Sequence, residues 1–442
     1  MGEEQMSEPD DAGCDASLAS KVAAILGLDR VVIEALSPGT SRGAMRVLST
    51  EGEAIAFVRA DLGVASEVSV GKSLPHEIAI VRRAHALGFP VPRIFGMVAQ
   101  PAAAVMELAP GTARPDVDEA ERVGPDYMAH IARLHGIAPG EFGLDAPATL
   151  TEAIAVDLDT YEADALSRGI LHNPVISLAF RLLRATLPRS DAAPSMLHGD
   201  VGAGNFMAHE GRISAILDWE LAHAGDIHED LAWLWVRGAH SAFGDPRTRI
   251  AEYEGASGVR LDPARLAWHV AFVTLKSVIG LRRRISAAGE DKGLLPIAIA
   301  ALTYDVLLCI ALARLVEVDA IGLEEAAVLH RSEEGRLIEL VGLLEPHSLR
   351  ESTILLRYLQ DKADQRDWRD RRMREDCRKL LAIEADQLDA GIAHANADQL
   401  PLLLAIVAAD AWRRCKALPN AERRVRRALE IGFGQERERD EA

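Results

Sequence analysis

The hydrophobic and polar positions divide the chain at about residue 110 into two regions with different periodicities. The first region contains short apolar runs, several of them alternating, which are typical of strands. The runs are, in order, VVIEAL, AMRVLST, EAIAFVRA, FPVPRIFGMV and AAAVMEL. A helix is predicted between the third and fourth runs, from Pro75 to Gly88, with Ser73 as its cap. Five strands around one helix predict a small antiparallel α+β lobe.

From Pro110 onward the apolar residues recur with the period of an amphipathic helix. The stretch from Ser195 to Glu220 is an exception, because it predicts strands joined by a tight turn at Glu210-Gly211. Beyond about residue 348 the sequence becomes densely charged and helical, with further helices expected near 399–416 and 420–431. The pattern therefore predicts a two-lobed α+β fold with an additional C-terminal helical segment.

Changes in composition set the predicted boundaries. We expect a disordered N-terminus at 1–16, an N-terminal lobe at 17–108, a helical lobe at 109–345 and a charged helical appendage at 346–442. A short helix is expected to begin at Ser17. Acid–base pairs at helical spacing make the appendage amphipathic, so a homodimer formed through these helices is one hypothesis.

Charge and cysteine content exclude several classes of protein. The net charge of −18 argues against a nucleic-acid partner, because nucleic acid selects basic surfaces. The apolar stretch 294–322 contains Asp305 and Arg314, which favours a buried helix over a membrane span. The start of the chain is acidic and does not resemble a signal peptide, and the four cysteines are far apart. We therefore expect a cytoplasmic protein with no membrane partner.

The candidate chemistry is concentrated in HGDVGAGN, residues 198–205. His198, Asp200 and Asn205 have the H-x-D-x-x-x-x-N spacing of a kinase catalytic loop, and Asp218 follows a strand-like segment. Phosphoryl transfer requires an aligned acceptor hydroxyl and metal ions that hold the phosphate charge. We predict that Asp200 orients the hydroxyl and accepts its proton, while Asn205 and Asp218 bind Mg²⁺ through hard oxygen atoms. The alternative is that these are ordinary turn and strand-end residues.

The stretch HGDVGAGNF, followed by ILDWELAHAGDIHEDLAWL, resembles the aminoglycoside-phosphotransferase-like family. More narrowly, it is similar to kinase domains fused to acyl-CoA dehydrogenases. The resemblance covers about residues 30 to 345 and is densest from 196 to 235. It implies a protein-kinase-like fold and transfer of the γ-phosphate of ATP, or GTP, to a hydroxyl. It also implies that Asp200 is the catalytic aspartate, and that Asn205 and Asp218 are metal ligands. His198 would be mainly structural, with a catalytic base as the alternative.

The resemblance also implies a nucleotide site in the N-terminal lobe. The residues expected there are Ser37, Gly39, Thr40 and Ser41 in a phosphate-covering turn, Arg59, Glu77, and Met106, Glu107 and Leu108 at a hinge between the lobes. Arg59 occupies the strand position where kinases carry lysine, and it can hold phosphate bidentately. Glu77 would pair with Arg59; alternatively, it is a solvated acid in the first turn of a helix.

Two acidic residues and three histidines lie close to this motif in the sequence. Glu220 and Asp226 are candidates for substrate contact or for structural roles, with Asp226 predicted as a helix N-cap. His209, His223 and His228 lack the spacing of a metal site and are expected at the surface or at helix caps.

Two functions remain open at this point. The leading one is a Mg²⁺-dependent phosphotransferase that uses ATP or GTP, with an amine sugar, an amino alcohol or a hydroxyacyl thioester as its small-molecule acceptor. The other is a non-catalytic nucleotide-binding or scaffold protein, suggested by Arg59 in place of lysine and by the long charged tail. The presence of Asp200, Asn205 and Asp218 together argues against the second.

Overall fold

The computed structural model describes ten segments of the chain. They are residues 11–36, 43–61, 73–238, 243–287, 294–316, 373–375, 377–378, 385–396, 399–416 and 419–430.

The N-terminal lobe is a five-stranded antiparallel sheet flanked by helices. Its elements are α1 (Asp11–Leu26), β1 (Val32–Ala35), β2 (Gly43–Leu48), β3 (Ala54–Ala60), α2 (Leu74–Ala86), β4 (Ile94–Val98) and β5 (Ala103–Met106). The strand order is β1-β2-β3-β5-β4, and each neighbouring pair is antiparallel. The predicted strands and α2 are confirmed. Helix α1, however, begins at Asp11 and not at Ser17, so residues 11–16, expected to be disordered, are helical.

The two faces of this sheet pack against different helices. Side chains alternate across a strand, so Val58 of β3 packs in a cluster with Leu18 and Val22 of α1. Phe57, on the opposite face, packs against a cluster that contains Leu74 of α2. Arg59 shares that face with Phe57, which directs its side chain toward α2 and the rest of the molecule.

The second lobe is helical and contains two small antiparallel sheets. Its helices are α3 (Val117–His135), α4 (Leu150–Ser167), α5 (Pro174–Ala185), α6 (Ile227–Gly238), α7 (Pro246–Ser257), α8 (Pro263–Ala287) and α9 (Leu294–Leu315). Its strands are β6 (Ser195–Leu197), β7 (Phe206–His209), β8 (Arg212–Ile216) and β9 (His223–Gly225). Strand β6 pairs with β9, and β7 pairs with β8 across the predicted Glu210-Gly211 turn. The two-lobed α+β, protein-kinase-like fold class is confirmed, while β9 was not predicted.

The described C-terminal helices belong to the same core as the helical lobe. They are α10 (Leu388–His394), α11 (Leu400–Lys416) and α12 (Pro419–Glu430). Helix α11 packs against α9 and α5, and α12 packs against α9. Asp305 of α9 is fully buried and binds Arg282 of α8 and Arg414 of α11. The described part of the predicted C-terminal helical segment therefore shares the core of the helical lobe, while the boundary predicted at 346 lies outside the described residues.

Helix α8 is a core helix of this lobe. Its segment Pro263–Ile285 is long and apolar enough to cross a membrane by length and composition, but 67% of the apolar window is buried inside the protein. Trp268 and Phe272 of this helix are buried, together with Trp233 and Trp235 of α6.

Candidate active site

The HGDVGAGN loop connects β6 to β7 and is fixed at its start by a buried carboxylate. Asp230, on the first turn of α6, accepts hydrogen bonds from the backbone N–H groups of His198 at 2.8 Å and Gly199 at 2.7 Å. His135 of α3 binds the same carboxylate through Nε2 at 3.0 Å. Burial alone would raise the pKa of Asp230, but the hydrogen bonds and charge of His135 and the contacts with His198 lower it. Asp230 therefore remains ionised and anchors the loop.

His198 has a structural position in the loop. Its side chain is fully buried, and its Nε2 donates to the backbone carbonyl of Leu217 at 2.8 Å. Its Nδ1 accepts the backbone N–H of Asp200 at 3.3 Å. Both ring nitrogens thus form hydrogen bonds with backbone groups. One of these groups belongs to Leu217, the residue directly before Asp218. This geometry favours the structural interpretation of His198 over that of a base.

Asp200 and Asn205 form a directly bonded pair. The Asn205 amide nitrogen donates to the Asp200 carboxylate at 2.6 Å and to its backbone carbonyl at 2.8 Å. Because both amide protons are used in this way, the side-chain oxygen of Asn205 is the atom left to ligate a cation. The structure thus places the predicted catalytic aspartate in direct contact with one of the two predicted metal ligands.

Asp218 is joined to the same loop through the residue that precedes it. The backbone N–H of Leu217 donates to the carbonyl of Asn205 at 2.8 Å, beside the His198 contact. Asp218 has φ 64° and ψ 59°, a left-handed conformation that is uncommon for a residue other than glycine. Such strained residues are often found at functional sites. The side chain is 26% exposed, so its carboxylate remains accessible to a ligand.

Arg59 connects the two lobes at this point. Its guanidinium lies 3.1 Å from the Glu77 carboxylate, 2.6 Å from Asp218 and 3.3 Å from Glu220. Burial alone would lower the pKa of Arg59, but the three carboxylates raise it above its usual value. Glu77 is only 3% exposed, so it is an internal ion-pair partner and not a solvated helix-start acid. Glu220 belongs to the same cluster.

Of the two remaining parts of the predicted nucleotide site, the structure describes the hinge but not the phosphate-covering turn. Residues Ser37, Gly39, Thr40 and Ser41 lie outside the described residues. At the hinge, Met106 ends β5 and is buried, while Leu108 is exposed. The backbone N–H of Glu107 donates to the Arg93 carbonyl at 2.8 Å, and its carboxylate accepts the Arg93 N–H at 3.1 Å. The hinge is therefore fixed to the loop before β4.

A cavity of about 230 Å³ adjoins the catalytic loop. Gly199 and Glu220 line one side of it, and Asp157, His223 and Lys276 line another. Gly199 directly precedes Asp200 in the chain, and Glu220 binds Arg59, so the cavity borders both parts of the candidate site.

The polar wall of the cavity is an ion-pair cluster. Lys276 lies 2.5 Å from Asp157 and 2.6 Å from Glu229, and His223 lies 3.5 Å from Glu229. Burial lowers the pKa of His223, but the charge and hydrogen bond of Glu229, with Asp157, raise it to about 9. Asp157, His223 and Glu229 are close enough to share a metal ion, but the Lys276 ammonium group already binds both carboxylates. The cluster is thus best described as a charged cavity wall.

Asp226 is a structural centre and not a substrate contact. Its fully buried carboxylate binds His228 Nδ1 at 2.6 Å, His269 Nε2 at 3.2 Å, and the Arg265 guanidinium. It accepts the His228 backbone N–H at 3.1 Å, as the predicted N-cap would. Burial opposes ionisation, yet His269 and His228 hold the pKa of Asp226 well below its usual range. His228 is buried in the first turn of α6, and His223 is 19% exposed in the cavity wall, whereas His209 is exposed. Of the three histidines predicted at the surface or at helix caps, only His209 is at the surface, while His228 lies at a helix start.

Two residues of the site, Asp230 and Arg237, were not predicted from the sequence. Asp230 resembles any acidic residue in a first helical turn, although its spacing of one turn from Asp226 was a usable signal. Arg237 lies near the end of α6, where an arginine is normally solvated. In the structure, both of its nitrogen atoms nearest the loop bind catalytic-loop residues.

The donor atoms of the cluster fit Mg²⁺. Asn205 offers a neutral amide oxygen, and the Asp218 carboxylate has one oxygen bound by Arg59 at 2.6 Å and a second oxygen beside it. Mg²⁺ prefers such hard oxygen ligands, and it usually takes one or two carboxylates together with phosphate oxygens. The Asp157–His223–Glu229 set does not fit as well, because Lys276 occupies the space between its carboxylates.

A family model described as "Phosphotransferase enzyme family" matches residues 37–269 of the chain. No curated protein sequence matches.

Among solved structures, the chain resembles three phosphotransferases. Aminoglycoside phosphotransferase APH(3'')-Id from Streptomyces rimosus is 17% identical, covering 60% of this chain and 98% of that chain, with a TM-score of 0.42. Macrolide 2'-phosphotransferase MphH from Brachybacterium faecium is 20% identical, covering 64% and 97%, with a TM-score of 0.43. A thermostable mutant of aminoglycoside phosphotransferase APH(4)-Ia, in a ternary complex with ADP and hygromycin B, is 15% identical, covering 67% and 98%, with a TM-score of 0.48.

Proposed function

Because the chain belongs to the phosphotransferase enzyme family, we propose that it transfers the γ-phosphate of ATP, or of GTP, to a hydroxyl group of a small molecule. Mg²⁺ would be bound with the nucleotide. One observation carries this proposal. The Asn205 side chain binds Asp200 at 2.6 Å, while its backbone binds Leu217, the residue before Asp218, at 2.8 Å. The three residues that phosphoryl transfer requires are therefore parts of one hydrogen-bonded unit.

Each residue of this unit has a distinct role in the proposed reaction. The Asp200 carboxylate would accept a hydrogen bond from the acceptor hydroxyl, align its oxygen with the γ-phosphorus, and take its proton as the new O–P bond forms and the bond to the β-phosphate oxygen breaks. Asn205 and Asp218 would hold the metal. When bound, Mg²⁺ supplies positive charge against the phosphate oxygens.

Arg59 would take the place of the usual kinase lysine. It is held by Glu77 at 3.1 Å, and its guanidinium projects toward Asp218 from the N-terminal lobe. A guanidinium in that position can bind two phosphate oxygens at once. At the hinge, the carbonyl of Glu107 and the N–H of Leu108 would serve adenine, since the N–H of Glu107 is bound by Arg93.

The acceptor would enter through the cavity beside Gly199. Its volume of about 230 Å³ is below the range of about 300–1,000 Å³ that is usual for drug-sized ligands. We therefore propose that it holds a small acceptor, or only the reacting end of a larger one. An amine sugar, an amino alcohol and a hydroxyacyl thioester all satisfy this condition.

A metabolite library incubated with the protein and Mg-ATP or Mg-GTP tests the proposal. Mass spectrometry would record which compounds gain one phosphate group. Asp200→Ala should abolish the product, while Asp191→Ala, which changes an exposed aspartate, should leave it unchanged. A protein that binds Mg-ATP but gives the same products with and without Asp200 is not a phosphotransferase of this kind, and the scaffold alternative would then be favoured.

A further inference from the structure

Arg237 contacts the proposed catalytic aspartate directly. Its Nη1 lies 2.6 Å and 2.7 Å from the two carboxylate oxygens of Asp200. Its Nη2 donates to the backbone carbonyl of Ala203 at 2.7 Å. One guanidinium therefore binds both the side chain of Asp200 and the backbone of the loop that carries it.

The glycines of the loop make room for this arginine. Gly202 has φ 148° and Gly204 has φ 99°, and both values are disfavoured for other residues. A Cβ atom on Gly202 would lie 2.8 Å from the Arg237 side chain, and one on Gly204 would lie 3.0 Å from its Nη2. The second and third glycines of HGDVGAGN are thus explained by close packing of the loop around the Arg237 side chain.

Asp200 is restrained from three directions. Arg237 binds both of its oxygens, Asn205 binds one oxygen and the backbone carbonyl, and His198 binds its backbone N–H. A half-buried carboxylate without such partners would sample several rotamers. Burial lowers the pKa of Arg237, but the charge and hydrogen bonds of Asp200 raise it, so the guanidinium stays charged.

We propose that Arg237 is a positioning residue for phosphoryl transfer, which fixes the carboxylate of Asp200 toward the acceptor hydroxyl and holds the 200–203 turn closed. This inference rests on the function proposed above. Arg237 acts through Asp200 and moves no proton itself. A displacement of about 1 Å in a reacting group can cost about 100-fold in rate, and loss of a supporting hydrogen-bond partner typically costs about 10- to 100-fold in activity.

A role in substrate binding would have a different consequence. The two terminal guanidinium nitrogens, Nη1 and Nη2, already have protein acceptors. If Arg237 contacted the substrate, its removal would raise the KM for the acceptor and leave kcat nearly unchanged. If Arg237 positions Asp200, kcat should fall while nucleotide affinity stays the same.

The test compares Arg237→Gln, Arg237→Lys and Arg237→Ala with a matched control, Arg414→Gln. Arg414 is also a half-buried arginine bound to aspartates, with 19% exposure against 17% for Arg237, but it lies in the C-terminal helices. Measured quantities are Mg-ATP hydrolysis, acceptor phosphorylation for compounds found in the library screen, the Kd for Mg-ATP, and Tm. Guanidinium chloride at low, non-denaturing concentration is added to Arg237→Ala.

We expect Arg237→Gln to reduce kcat by about 10- to 100-fold with little change in the Kd for Mg-ATP. Arg237→Lys should recover part of that loss, because lysine keeps the charge but not the two-pronged geometry. Guanidinium ion should raise the turnover of Arg237→Ala and have no such effect on Asp200→Ala. Arg414→Gln should lower Tm without lowering turnover per folded molecule.

Wild-type kcat in Arg237→Gln, or a change confined to KM, would overturn the inference. A crystal structure of Arg237→Gln gives a reading that does not depend on turnover. The Asp200 carboxylate is expected to leave its position beside Asn205, and an unchanged carboxylate and loop would also overturn the inference. If wild type and Asp200→Ala turn over equally, it is the proposed function that fails, and the crystal structure still decides whether Arg237 holds the loop.

Discussion

Two groups of carboxylates lie along the same stretch of chain and differ in how their charges are buried. Asp200 and Asp218 have side chains that are 17% and 26% exposed, and arginines bind them at 2.6 Å. Asp226 and Asp230 are fully buried, and their partners are histidines, an arginine and backbone N–H groups. In both groups each carboxylate binds at least one basic side chain.

The difference in burial gives the two groups of carboxylates different roles. A partly exposed carboxylate can exchange a protein partner for a ligand, because water and the ligand compensate for the lost contact. A fully buried carboxylate cannot do so without leaving an uncompensated charge. The first group is therefore suited to binding a metal and a substrate, and the second to holding the backbone that carries the first. Asp230, which binds the backbone of His198 and Gly199, connects the two.

Replacing a carboxylate of the partly exposed group, Asp200 or Asp218, should have the largest effect on activity. Asp200→Asn removes the acceptor of the hydroxyl proton, and we expect turnover to fall by about 10²- to 10⁴-fold. Because the side chain is partly exposed, we expect stability to change by only about 1 kcal/mol. Kinetic assays and urea denaturation measure the two effects separately. A variant that keeps full turnover would remove Asp200 from the chemistry.

Replacing a residue of the buried group should affect folding first. Asp230→Asn leaves His135 and two backbone N–H groups without their charged acceptor, and we expect the free energy of unfolding to fall by about 3–5 kcal/mol. Asp191→Asn, at an exposed position, serves as the control in the same urea titration. A loss below about 1 kcal/mol would show that burial does not distinguish the two groups.

His223, in the cavity wall, provides a pH-dependent test with a smaller expected effect. The charged groups that face its side chain are Glu229, Asp157 and Lys276. Its folded pKa is raised from 6.5 to about 9 by the neighbouring carboxylates, against the effect of burial. A raised pKa means that the protonated side chain stabilises the fold below pH 6.5, and that this contribution is lost as the pH rises through about 9. Tm measured from pH 6 to 10 should therefore fall more in wild type than in His223→Gln. Parallel curves would contradict the ion-pair assignment.

Periodicity and motif spacing predicted most of the fold and the centre of the site. The apolar run EAIAFVRA predicted strand β3, and HGDVGAGN predicted the loop. Strand β9 was missed because three residues, His223–Gly225, are too few to show a period. The helical start at Asp11 was missed because the sequence there is acidic and has few apolar residues.

Contacts between distant segments were beyond what the sequence could indicate. Arg237 resembles a solvated helix terminus until the loop at residues 200–203 folds against it. The C-terminal helices were predicted as charged helices, but their packing against α9 depends on which face each presents, and that is decided by tertiary contacts. Asp305 is an example, since its partner Arg414 lies 109 residues away.

The most direct test of the account is the dependence of ATP affinity on Mg²⁺, measured by calorimetry in wild type and in Asp218→Ala. If Asn205 and Asp218 form the metal site beside the nucleotide, Mg²⁺ should increase the affinity of the wild type for ATP. That increase should be lost in Asp218→Ala, while affinity without metal should be little changed. An equal effect of Mg²⁺ on the two proteins would contradict the central claim that this loop is a metal–nucleotide site.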